Sequence, residues 1–172
     1  TDTDTDTDTD SDADSDCDLS GWSIVQAESA ITYTISGGVS VSAGDIVILG
    51  REATESSFES YWGVTLGSNV HYINSGGVAP MINGDETYTL KDGSSAVVDG
   101  PTVAATEGYS YQRTGSSAGV SGSWSVVEET SATPGSVSYT GDGSKVAFIS
   151  EFSDASGTGN YIYEFVELYC AP

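Results

Sequence analysis

The chain has 172 residues, 26 acidic against 4 basic, and a formal net charge of -22. Its length suits one domain with a real core, and the charge excludes phosphate-backbone binding, disfavours anionic membranes and favours cations or basic partners. No run approaches the roughly 18 to 20 apolar residues of a membrane helix, and 21 glycines, 4 prolines and many Ser/Thr spacers suit short strands joined by turns.

In chain order, residues 1 to 18 form a low-complexity acidic run with aspartate at every even position, from Asp2, Asp4, Asp6 and Asp8 through Asp10, Asp12, Asp14 and Asp16 to Asp18. Because it opens on Thr1 rather than methionine, the chain is expected to be processed, excised or part of a longer one. Residues 19 to 135 carry short apolar runs and form the main body; 136 to 144 read as a glycine-bearing connector; 145 to 172 return to strand-like sequence. Alternation and β-branched or aromatic enrichment predict strands at Trp22–Val25, Ile31–Ile35, Asp45–Leu49, Glu86–Lys91, Ala96–Val98, Ser110–Arg113, Trp124–Val127, Lys145–Phe152 and Tyr161–Tyr169. Turn signals such as Ser36-Gly37-Gly38, Asn83-Gly84-Asp85 and Asp92-Gly93 separate them. Arg51 to Tyr61 has the spacing of a short helix. The expected architecture is an all-β sandwich with at most a helical turn or two.

Asp18-Leu19-Ser20-Gly21-Trp22, Ser42-Ala43-Gly44-Asp45 before Ile46–Leu49, Asn83-Gly84-Asp85 before Tyr88-Thr89-Leu90, and Asp92-Gly93 before Val97-Val98-Asp99 follow one another in order. Tyr109–Arg113, Trp124 and Thr133-Pro134-Gly135 close the series. Together they resemble the lamin-tail domain family, which implies an Ig-like β-sandwich. That family opens with a strand pair which here stands at the other end, matched by Lys145–Phe152 and Tyr161–Tyr169, so the resemblance is in circularly permuted order. It places Trp22 and Trp124 in the core.

Permutation raises the question of where the last two strands go. Without them the main body would expose a core face and an unpaired edge. The connector spans at most roughly 30 Å, and Ig-like sandwiches tend to have their ends at opposite poles. The leading expectation is donation of the pair to a neighbouring copy, through Val146, Phe148, Ile149, Phe152, Ile162, Phe165, Val166 and Leu168, building a head-to-tail filament. Self-completion and a repeat cut from a tandem array stand beside it. Cys17 and Cys170, with no CxxC or Cys/His cluster nearby, read as a disulfide formed in an oxidising compartment, hence extracellular or cell-surface. That bridge either locks two subunits or closes one chain.

An extended acidic run sets its carboxylates about 6.6 to 7 Å apart on one face. Hard oxygen ligands of that kind suit calcium, although the run lacks the glycine and terminal glutamate of an EF-hand loop. A solvated acidic spacer is the plainer reading. Catalysis is not expected. Gly115-Ser116-Ser117-Ala118-Gly119 matches G-x-S-x-G but lies in a Gly/Ser loop, His71 is the single histidine, and Glu128 and Glu129 point to opposite faces of a strand. Trp62 is the tryptophan placed to touch a ligand such as a glycan. The expected function is an extracellular structural subunit; the alternative is a monomeric surface module binding calcium or carbohydrate.

Overall fold

The computed structural model describes residues 17–28 and 30–172, so the aspartates Asp2 to Asp16 lie outside it. In chain order the elements are β1 (Cys17–Asp18), β2 (Ser23–Gln26), β3 (Ile31–Thr34), β4 (Ser40–Val41), β5 (Ile46–Gly50), α1 (Glu55–Trp62) and β6 (Val70–Asn74). They continue with β7 (Tyr88–Lys91), β8 (Val97–Asp99), β9 (Tyr109–Arg113), β10 (Trp124–Glu128), β11 (Ala147–Ser153) and β12 (Phe165–Cys170). A six-stranded sheet runs β10-β9-β11-β12-β5-β6, a four-stranded sheet runs β3-β2-β7-β8, and β1 and β4 form a small ribbon. The fold is an all-β sandwich.

Side-chain parity explains the packing. On β5, Val47 and Leu49 join Ile24, Tyr88 and Leu90 of the smaller sheet in one core, together with Phe152, Val166 and Leu168. The alternate residues Ile46, Ile48, Phe148, Phe165 and Tyr169 form a second core on the opposite face. Both faces of β5, β11 and β12 are therefore covered, which is why all three are buried along their length and why β5 and most of β12 read as apolar runs. Each such large side chain contributes about 1.5 to 3 kcal/mol on burial.

The second face is covered by α1 and the connector. Thr54 caps α1 by accepting a bond from the Ser57 amide at 3.3 Å, Glu55 sits in the favourable first turn, and Gly63 ends the helix in the left-handed region. Phe58 is the buried residue of the helix and meets the edge of Phe165 at 5.5 Å. Gly50 is required here, because a Cβ would come within 2.1 Å of the Tyr72 hydroxyl, which donates to the Ala53 carbonyl. The connector lies on this same face, with Val137 and Tyr139 packed against the second core.

That path carries the chain back to its own sheet. β11 pairs antiparallel with β9 and β12, and β12 pairs antiparallel with β5, all within one chain. Of the residues expected to be donated, Phe148, Ile149, Phe152, Phe165, Val166 and Leu168 are buried in this chain's cores, whereas Val146 is 55% exposed and Ile162 is half-buried. Cys17 and Cys170 are joined within the chain, with their Cα atoms 6.1 Å apart. Three local expectations change. Asn160–Tyr163 forms a 3-10 turn instead of the start of a strand, the helix runs Glu55–Trp62, and Val70–Asn74 is a strand that the pattern did not announce. This last strand pairs in parallel with β5 at the sheet edge, and its residues Val70 to Ile73 are all half-buried, which gives little alternation.

Candidate functional site

Most residues with a chemical reading in the sequence are occupied structurally. The His71 imidazole Nε2 lies 3.0 Å from the Asp45 carboxylate, which also accepts a bond from the Ser42 amide. The G-x-S-x-G loop serves Arg113, whose guanidinium donates to the Gly115 and Ser116 carbonyls. A 3-10 turn at Ser121–Ser123 follows that loop, not the helix a nucleophile elbow needs. Glu129 is fixed by the Ser156 amide and hydroxyl. Asp18 is exposed in β1, and hydrogen bonding from the Ser20 side chain, then from the Ser20 amide at 2.9 Å, holds its carboxylate below the usual range.

Trp62 borders a groove of about 400 Å³ with Tyr61, Gly63, Glu129 and Thr130. Its indole N–H donates to the Tyr163 carbonyl at 3.1 Å, and its ring meets the edge of Phe165 at 5.3 Å. Tyr61 stacks on Tyr163 with centroids 4.1 Å apart and planes 6° from parallel. The aromatic wall is thus rigid, with its polar handle on Trp62 already used.

The sequence reading missed a set of buried carboxylates. Asp99 is buried and accepts bonds from both terminal nitrogens of Arg113, from the Ile149 amide and from Lys145. Arg51 pairs with Glu164 at 2.9 Å, so three of the four basic residues are committed to ion pairs with buried carboxylates. The signal was available: glutamates at 151, 164 and 167 stand in runs rich in apolar residues on both parities.

Glu151 and Glu167 face each other directly across β11 and β12, and both are buried. Glu151 accepts bonds from the Ser110 hydroxyl and from the Thr133 amide and hydroxyl; Glu167 accepts from the Ser150 hydroxyl at 2.7 Å and the Gly135 amide at 2.6 Å. Together they fasten the Thr133–Gly135 segment to the sheet. Burial, then the neighbouring Glu151 charge, pushes Glu167 up to about 8, and burial also raises Glu151.

A second acidic group lies at one end of β11. Asp154 is 3% exposed and its Oδ2 has no hydrogen-bond partner. It borders a cavity of about 210 Å³ with Asn83, Glu107, Tyr161 and Glu164. Burial, then the charges of Glu107, Glu86 and Glu129, push Asp154 up to about 7, and burial takes Glu164 to about 7 against the Ile82 amide and Arg51.

Comparison with protein-family models, curated proteins and solved structures finds no match to this chain. Its chemistry is therefore read from its own residues. Among the described residues, no three His, Cys, Asp or Glu side chains converge in ready metal-ligating geometry, and no helix is long and apolar enough to cross a membrane.

Proposed function

We propose that this chain is a non-catalytic, extracellular or cell-surface module of Ig-like, permuted lamin-tail type, in which each copy completes its own sandwich. The observation that carries this reading is the intrachain Cys17–Cys170 bond beside a strand pair seated in its own sheet. A disulfide between chain ends belongs to an oxidising compartment. The side chains with familiar catalytic readings are tied into structural hydrogen bonds, which favours a binding or structural role. The groove at Tyr61, Trp62, Gly63, Glu129 and Thr130 offers a rigid aromatic wall and a carboxylate, the combination that stacks on and hydrogen-bonds a sugar ring. With three of the four basic residues paired to carboxylates, the outer surface is strongly acidic and suits cations or basic partners, and calcium along the acidic run is part of this reading.

Strand donation is the second reading, favoured by one feature. β11 and β12 follow a single connector and carry Cys170, so exchanging the pair between copies would recreate the same contacts and turn the bridge intermolecular. Gel electrophoresis in SDS with and without reductant separates the two. A band at monomer size in both lanes, running faster unreduced, supports the closed module. A ladder that collapses on reduction supports the filament and overturns self-completion.

A further inference from the structure

The cavity at the end of β11 shares no lining residue with the aromatic groove. Its inner wall is Asp154, held by its amide's bond to the Tyr109 carbonyl at 3.3 Å. The buried Oδ2 of Asp154 has no partner, an arrangement that costs free energy unless something charged or hydrogen-bonding meets it. The nearest opposite charge is already committed: Arg51 donates to Glu164 at 2.9 Å and lies over the Tyr161 ring at 4.7 Å. Glu86 adds negative charge from the neighbouring turn, where its carboxylate orders the Asn83 and Asp85 amides. Asp154, Glu164, Glu107 and Glu86 thus face one guanidinium, leaving a net negative cavity.

Glu107 and Asn83 are exposed, so the cavity opens to solvent on their side and an ion can reach it. The polar side chains lining it offer oxygen donors, with no imidazole or thiolate among them, which selects a hard cation over zinc. Mixed carboxylate and amide donors in irregular geometry fit calcium, whereas magnesium demands a near-octahedral shell.

We propose that this cavity binds one calcium ion, with Asp154 as the anchoring carboxylate, Glu107 and Asn83 on the solvent side, and water completing the shell. Because the described side chains do not converge as a ready triad, the ion keeps much of its water. The affinity then belongs to the weak extracellular class, with Kd about 10⁻⁴ to 10⁻³ M.

The test is calorimetric titration of calcium chloride into the full chain, paired with thermal melts in calcium, magnesium and sodium chloride at equal ionic strength. Wild type, Asp154→Asn and Glu107→Gln are compared, all retaining the acidic run. The expected result is a calcium-specific rise in Tm for wild type, with Kd weakened at least about tenfold in Asp154→Asn and by a smaller factor in Glu107→Gln. Equal responses in calcium and magnesium would overturn the proposal by reducing the effect to screening. An unchanged calcium response in Asp154→Asn would assign binding to the acidic run and overturn it as well. If Asp154→Asn does not fold, the exposed Glu107→Gln decides, and an unaltered Kd there counts against the site. No calcium response in wild type leaves the cavity as a hydrated pocket and ends the proposal.

Discussion

The two faces of the six-stranded sheet are held by different physics. On the face toward the four-stranded sheet, Phe152 stacks on Tyr111 at 4.7 Å and meets Trp124 at 5.1 Å, within a core closed by Tyr88, Leu90 and Leu168. On the other face, apolar contacts from α1 share the work with Glu151 and Glu167, which fasten the Thr133–Gly135 segment through hydrogen bonds. The first face depends on buried area and is nearly indifferent to pH. The second depends on a pair of carboxyl groups too close and too buried for both to be charged without cost.

The largest expected effect breaks the first face. Phe152→Ala should cost about 3 to 5 kcal/mol in urea unfolding, because the stack with Tyr111 and the edge contact with Trp124 are lost together. Reducing the Cys17–Cys170 bond should follow closely. It closes a loop with a sequence separation of 153 residues, so its removal is expected to cost about 2 to 5 kcal/mol, read as a drop in the urea midpoint with reductant.

The second face should respond to pH. Glu167 is raised from 4.5 to about 8, so the folded state binds its proton more tightly than the unfolded state does. That contribution is complete below about pH 4.5 and is lost as the pH rises through about 8. Stability should therefore fall by about 1 to 3 kcal/mol between pH 5 and 8.5. General self-repulsion of an acidic chain and the raised Asp154 and Glu164 have the same sign, so Glu167→Gln is the discriminating variant: it should reduce the pH slope, leaving the part due to Asp154 and Glu164, while changing stability at pH 5 by only about 1 kcal/mol. An identical slope in the variant would remove the carboxyl pair from the account.

The smallest effect concerns the helix that lies over the second face. Thr54→Ala removes the bond to the Ser57 amide and should cost about 1 kcal/mol by thermal melting.

The same contrast explains what could be read in advance. β2, β5, β7 and β9 were legible because alternation or β-branched and aromatic runs are bracketed there by turn residues, and Arg51 to Tyr61 carried a helical spacing that became Glu55–Trp62. Val70–Asn74 was not, since a half-buried edge strand containing His71 has no clean period of two. Tyr161–Tyr163 looked extended by composition, yet Gly157 and Gly159 at positive φ allow a tight turn before Glu164. The connector's return path depended on a cover for the second face, which no local pattern states. The buried carboxylates depended on the same cover, because Glu151 and Glu167 face solvent until Thr133–Gly135 is laid over them. Cys17 and Cys170 were legible as a pair, and their shared chain was not.

Whether one chain completes its own sandwich is decided by isotope-mixed disulfide mapping. Copies of ordinary and uniformly ¹⁵N-labelled chain are unfolded, reduced, mixed in equal amounts, refolded and oxidised, then digested without reductant. Peptides joining Cys17 to Cys170 are expected to carry matching labels at both ends. A population near one half with mixed labels would mean that the bridge joins neighbours and would contradict the self-completed fold.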